Sequence, residues 1–278
     1  YLSDILKPDI GVITNIGLSH LESLKNTQGV LKVKSEIINN IKKNGFLIVP
    51  DDDKEHLQHW KNIRSDIKLL TFGLKESSDF HPLEPSLKTN GLYFLVKSIY
   101  LEKIIKINSK LEGNHNILNI LASCAVHYCL SQDINEFAKK LKSLIFKNSR
   151  LTKIKWIKNS ILIDDTYNAN PDSARKSIDL LSNHDNKTYL ILGDMLELGN
   201  HQEKYHKEIG QYAKLKGIDV FLGFGNLAKH AVDGFGNNGI FFDTEDELKN
   251  YLKQNISKKD VILIKGSRGM RMERFINV

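Results

Sequence analysis

From Trp156 onward the apolar and polar positions come in blocks. Short apolar runs at 160–164, 188–193, 219–223, 239–242 and 260–264 alternate with stretches of helical spacing at 171–182, 201–216, 226–233 and 245–254, and a short final helix follows the last run. The runs are continuous rather than alternating, which marks strands buried on both faces. Strands alternating with helices of this length predict a parallel sheet between two helical layers. Upstream the pattern is less regular. A strand is expected from Ile10 to Ile16, bounded by Pro8 and Gly17, then a helix from about Gln28 to Lys43 stopped by Gly45. A short strand, Phe46 to Val49, runs into the acidic turn Asp51-Asp52-Asp53. Residues 66–108 read as short strands with a hairpin signal at Asn90-Gly91, and helices are expected near 115–130 and 134–146. The reading is an α/β chain without internal repeats. A boundary near 148–150 separates domains at 1–148 and 149–278.

Length and composition agree with two soluble domains. The 278 residues are 41% hydrophobic and 26% charged, enough to build more than one core. No stretch approaches the roughly 20 apolar residues of a membrane span, since the longest, Leu121 to Leu130, contains His127. No secretory signal is visible. Cys124 and Cys129 sit five apart on one expected helix, which suits neither a disulfide framework nor a zinc site, and points to a reducing cytoplasm. The net charge of +7 is spread over scattered lysines without an interleaved aromatic stripe, so nucleic acid is not the expected partner.

Candidate chemistry begins on the helix at 28–43. At 100° per residue, Val30, Leu31, Val33, Ile37, Ile38 and Ile41 fall on one arc, while Lys32, Ser35, Glu36, Asn39, Asn40, Lys42 and Lys43 occupy the other. Lys34 lies in the middle of the apolar arc. Such a lysine either snorkels to water or meets a partner, and burial lowers its pKa toward a reactive neutral amine. His20 stands in the turn after the first strand, as a surface residue or a metal ligand. Asn116 and Asn119, three apart at a helix start, share a face and present two amides that suit the edge of a base. The alternative is a cap from Asn114 with two solvated amides. Asp164 and Asp165 end a strand just before Pro171, where carboxylates meet ribose hydroxyls or magnesium, or simply make a turn. Lys265-Gly266-Ser267-Arg268-Gly269 follows the last strand and suits a carboxylate or phosphate.

These strings occur in a telling order: ITNIG-x-x-HLE at 13–22, K-x-EI at 34–37, LEGNHNILN at 111–119, Arg150-Leu151, DDTYNANP at 164–171, LGDMLELG at 192–199 and KGSRG at 265–269. Together they resemble the Mur ligase family, most closely its D-alanyl-D-alanine-adding branch, over nearly the whole chain. The resemblance implies a partial central ATPase-type domain followed by a Rossmann-like C-terminal domain. It implies a ligase of peptidoglycan synthesis that activates a UDP-N-acetylmuramoyl-tripeptide with ATP as an acyl phosphate. The amine of D-alanyl-D-alanine then attacks that acyl phosphate. Such chemistry rests on positioning and charge neutralisation.

Carried onto matching positions, His20 would bind magnesium, and Lys34, carbamylated, would help hold it. Asn116 and Asn119 would contact adenine, while Arg150 and Asp165 would hold the phosphate and ribose side of ATP. Tyr167, Asn168 and Asn170 would shape the cleft facing the central domain. Lys265, Ser267 and Arg268 would grip the dipeptide or phosphate. The chain departs from the family pattern in having no G-x-x-G-K-[ST] string. It also lacks the magnesium-binding Glu and the UDP-gripping domain expected upstream. It therefore reads as a fragment that awaits its N-terminal half and does not ligate alone. The competing readings are a folylpolyglutamate-type amide ligase and a non-catalytic nucleotide- or peptide-binding module.

Overall fold

A computed structural model describes residues 2–18, 21–88, 91–111, 113–143 and 151–278, with the backbone alone at Leu2, 84–88 and Asn114. The chain divides into two compact units, one of Tyr1–Ile16 with Thr27–Ile145, the other of Gly17–Asn26 with Phe146–Val278.

The first unit opens with helix α1 (Leu2–Leu6) and strand β1 (Ile10–Val12); the chain then contributes α2 (Leu21–Leu24) to the second unit and returns as α3 (Thr27–Asn39). It continues through β2 (Phe46–Pro50), α4 (Lys54–Lys61), β3 (Lys68–Phe72), β4 (Phe80–Lys88), β5 (Gly91–Ser98), β6 (Ile105–Ser109), α5 (Asn114–Cys129) and α6 (Ile134–Ser143). The six strands form one sheet in sequence order, parallel from β1 to β4 and antiparallel from β4 to β6. Strand periodicity splits the core between its faces. On β2, Ile48 joins Phe72, Phe94 and Leu121 in one cluster, while Leu47 and Val49 join Leu31, Ile38 and Trp60 in the other.

Several expectations shift here. The first strand stops at Val12, although Ile13 still donates its amide to the Ile48 carbonyl at 2.9 Å. The helix expected to reach Lys43 ends at Asn39, because Arg64 Nη1 reaches the carbonyls of Ile38 at 3.0 Å and Ile41 at 2.6 Å and satisfies that end. The helical arc also needs correction at two positions. Val33 is 44% exposed, whereas Ser35 is 5% exposed and accepts a hydrogen bond from Trp60 Nε1 at 3.0 Å. A buried indole N–H requires an acceptor, and Ser35 supplies it. Helix α4, capped by Asp53, was not expected from its polar sequence. The hairpin tip at 89–90 lies outside the described residues.

In the second unit, β7 (Thr152–Lys155), β8 (Ile161–Asp165), α7 (Pro171–Leu181), β9 (Thr188–Gly193), α8 (Gln202–Leu215), β10 (Val220–Phe224), α9 (Ala228–Phe235), β11 (Gly239–Phe242), α10 (Glu245–Asn255) and β12 (Val261–Lys265) follow, ending in short 3-10 turns. The sheet order is β11-β10-β9-β12-β8-β7, parallel except for the edge strand β7. Leu162, Ile191, Leu222 and Ile262 pack with Leu248, Leu252 and Phe275. The intervening Ile163, Leu190 and Leu263 are equally buried, so both faces are covered as the continuous apolar runs required. Among the described residues no helix is long and apolar enough to cross a membrane.

Candidate functional site

In the first unit the candidate groups sit on two helices, Lys34 midway along α3 and the two amides near the start of α5. Lys34 is half-buried on α3, and its Nζ donates to the backbone oxygen of Asn15 at 2.8 Å and approaches Asn15 Oδ1 at 3.3 Å. Burial alone holds its pKa below the ordinary lysine value. The partner that the apolar arc demanded is thus a backbone carbonyl and an amide. At the start of α5, Asn119 Nδ2 donates to Asn116 Oδ1 at 3.2 Å, so the two amides share a face as their spacing predicted. The cap of this helix is Gly113, with φ 89°, rather than Asn114.

In the second unit the strand ends converge. Register pairs Asp165 with Lys265 at the carboxyl ends of β8 and β12. There Lys265 Nζ donates to Asp165 Oδ2 at 2.5 Å and to the Asn168 carbonyl at 3.0 Å. Ser177 Oγ, on α7, lies 2.7 Å from the same carboxylate oxygen. The pair is almost closed to solvent, with side-chain exposures of 3% and 9%. The ammonium expected to grip a substrate anion therefore already holds a carboxylate of the chain. Asp165, expected on the ribose, faces inward because it occupies the last position of a strand covered on both sides. Asp164 makes a turn instead, accepting from the Thr166 amide and hydroxyl at 3.1 and 2.7 Å.

The neighbouring residues knit the two loops together. Asn168 Oδ1 accepts from the amides of Ala169 at 2.9 Å and Arg268 at 3.3 Å. Ser267 is buried, accepting from the Leu196 amide at 2.8 Å and reaching the Ala169 carbonyl at 3.2 Å. Asn170 is the N-cap of α7, in a reciprocal capping box with Ser173. Tyr167 is 45% exposed, and the Arg268 guanidinium is exposed and paired with Glu273 at 3.1 Å. Of the residues expected here, Tyr167, Asn168 and Arg268 are exposed. His20 and Arg150 lie outside the described residues, and no grouping of three or more His, Cys, Asp or Glu able to hold a metal occurs among the described ones.

Two buried groups were not singled out from the sequence. Asp194, after β9, accepts the amides of Leu227 and Ala228 at 2.9 and 2.8 Å, at the start of α9. Burial raises its pKa. Gly225, with φ +110°, lets the chain pass, since a Cβ there would stand 2.6 Å from Asp194 Oδ1. His206 is wholly buried. Its Nε2 accepts the Met195 amide at 2.9 Å and its Nδ1 donates to the Gln202 carbonyl at 2.7 Å, which fixes the neutral tautomer. Burial depresses its pKa in agreement. The signal for Asp194 was present in the GDM string; His206 carries no local sequence signal.

Residues 1–127 match the Mur ligase middle domain, and residues 149–268 match the Mur ligase glutamate ligase domain. The chain belongs to the Mur ligases. A Bacillus subtilis UDP-N-acetylmuramoyl-tripeptide--D-alanyl-D-alanine ligase is 34% identical over 99% of this chain. Among solved structures, MurF from Acinetobacter baumannii superposes with TM-score 0.86 at 27% identity over 98% of the chain. The Thermotoga maritima MurF ligase in complex with ADP gives 0.84 at 26% identity over 99%. This Mur ligase chain spans about 60% of the length of the first two relatives and 62% of the third.

Proposed function

We propose that this Mur ligase chain supplies the adenine-binding and amine-substrate portions of an ATP-dependent ligase that joins D-alanyl-D-alanine to UDP-N-acetylmuramoyl-tripeptide in the cytoplasm. The observation that carries the reading is the run of two Mur ligase domains, similar across 99% of the chain to a ligase of that name. In the first unit, Asn116 and Asn119 offer adjacent amides to the adenine edge. Lys34 is the candidate for carbamylation: a burial-lowered amine combines with carbon dioxide, forming an N–C bond and releasing a proton. The resulting carboxylate, with His20, would hold a magnesium ion, which would neutralise phosphate charge when bound. Arg150 is assigned to the phosphates by resemblance alone.

In the second unit, Tyr167, Asn168 and Arg268 are the exposed groups that would meet substrate, while Asp165, Asn170, Lys265 and Ser267 set the shape of the surface that carries them. Two free cysteines fit a reducing compartment, and burial pushes the Cys124 thiol up to about 12. Acyl-phosphate formation also needs the phosphate-binding groups of an N-terminal half.

Calorimetric titration of the chain with ADP and magnesium tests the first assignment. The expected result is saturable binding, weakened about tenfold or more by Asn116→Ala with Asn119→Ala, since buried amide hydrogen bonds to a base contribute about 1 kcal/mol each. Binding unchanged by the double substitution would remove the adenine site from this helix.

A further inference from the structure

The turn after β9 carries three apolar residues, and the fold treats them differently. Met195 and Leu198 are buried, at 0% and 2% exposure, whereas Leu196 between them is 39% exposed. The backbone on either side fixes this arrangement. The Met195 amide donates to His206 Nε2 at 2.9 Å, and the Leu196 amide donates to Ser267 Oγ at 2.8 Å. Glu197 follows at φ 63°, a conformation that a non-glycine residue keeps only when its surroundings impose it. The Leu196 side chain leans over Gly269, where a Cβ would stand 2.9 Å from Leu196 Cδ1. Leu196 is thus held outward on a seat that the glycine leaves open.

That seat lies where the topology opens a crevice. Strands β8 to β11 are laid down in one direction across the sheet, so right-handed crossovers put α7, α8 and α9 on one face. The step back from β11 to β12 puts α10 on the other. The chain leaves β12 toward the α10 side, where Met272 and Phe275 pack with Leu248 and Leu252. Connections on either side of β12 therefore part to opposite faces. In open α/β sheets, ligands bind outside the carboxyl ends of the strands at such a point. Gly269 adjoins Arg268, whose amide donates to Asn168 Oδ1 at 3.3 Å, and Tyr167 precedes Asn168. One exposed surface thus combines an apolar side chain, an aromatic ring, an amide and a guanidinium. These groups suit a short peptide with small apolar side chains and a carboxylate.

We propose that Leu196, seated on Gly269, is a specificity-determining residue of the second unit. It covers a methyl side chain of the amine substrate and so favours an alanyl residue over a glycyl one at that position. The inference rests on the reading of the second unit as the amine-substrate portion of the ligase. It adds to that reading a group outside the DDTYNANP and KGSRG strings, with a stated chemical preference.

NMR titration of the whole chain with D-alanyl-D-alanine, D-alanylglycine and glycyl-D-alanine tests this. D-alanyl-D-alanine is expected to bind about fourfold tighter than the dipeptide lacking the covered methyl, the factor that burying one such group contributes. In Leu196→Ala that ratio falls below about twofold, while the weaker dipeptide keeps its affinity within about twofold. Leu196→Met, which retains apolar volume, preserves the ratio. Gly269→Ala lowers it by displacing the Leu196 methyl from its seat. Partial unfolding lowers the apparent affinities of all three dipeptides alike, so the ratio reports the contact rather than the fold. Equal affinity for the three dipeptides, or a ratio unchanged in both Leu196→Ala and Gly269→Ala, overturns the role of Leu196 and leaves the amine-substrate reading standing. Absence of saturable binding of every dipeptide to the unsubstituted chain overturns that reading together with the inference.

Discussion

The two units use their motif residues in opposite ways. In the first, Lys34, Asn116 and Asn119 lie at helix starts or partly open faces and bond chiefly to each other or to one backbone oxygen. In the second, Asp165, Lys265, Ser267 and Asn170 are consumed by internal bonds before any ligand arrives. The first unit thus leaves its candidate side chains only partly buried. The second invests most of its motif in the shape of two loops, which leave Tyr167, Asn168 and Arg268 exposed. A motif residue is not always a ligand-binding residue: a family-like string can specify a scaffold as readily as a site.

The sharpest way to break this contrast is Lys265→Met. If the second unit's motif is scaffold, stranding the Asp165 carboxylate in the interior costs about 3–5 kcal/mol, and adding Asp165→Leu recovers most of it. The chain has two tryptophans, Trp60 in the first unit and Trp156 in the second. Urea unfolding followed by fluorescence in a Trp60→Phe background therefore reads the second unit. A loss under about 1 kcal/mol would return Lys265 to the list of groups available to substrate.

A second test uses pH. His206 is buried and neutral in the folded chain, with its pKa depressed by burial, whereas an unfolded histidine titrates near 6.5. The unfolded state therefore binds the extra proton first. The contribution of His206 is complete above about pH 6.5 and declines as pH falls below it toward the lowered folded value, by up to about 1.4 kcal/mol per unit. Asp194 has the opposite sign, because its folded pKa is raised: its contribution is present below the ordinary carboxylate range and is lost as pH rises through the folded value. Comparing the chain with His206→Gln between pH 7 and pH 5 isolates the histidine, and the variant is expected to lack this part of the slope. The smallest effect belongs to the first unit. Asn116→Ala with Asn119→Ala, which should weaken ADP, is expected to change urea stability by no more than about 0.5 kcal/mol.

Much of this was legible in the sequence. The strands at 188–193 and 239–242 appear as expected, because each is an apolar run ended by a turn residue. The same continuity hid the direction of Asp165. On a sheet covered on both sides, alternation does not say which way the last residue points. Ser35 and Val33 were exchanged between faces for a related reason: a helical arc knows its own residues but not that Trp60, 25 positions away, brings an N–H needing an acceptor. Helix α4 was missed because only Trp60 along it is buried, so it shows almost no apolar stripe. The edge strand β7 escaped notice because three of its four residues are exposed and charges flank its isoleucine, as suits a sheet margin.

Strand β12 sits in the interior of its sheet, between β9 and β8, although it is the last strand of that sheet to be made. On a ribosome, β8 and β9 would emerge early and wait with a gap between them, each offering an unsatisfied row of backbone groups. Only when residues 261–265 leave the exit tunnel can the sheet join across its centre, pairing Ile161 with Val261 and bringing Asp165 to Lys265. Such long-range closure is slow and leaves sticky intermediates. Nascent chains stalled just short of Val261 should therefore be the ones that most need a chaperone.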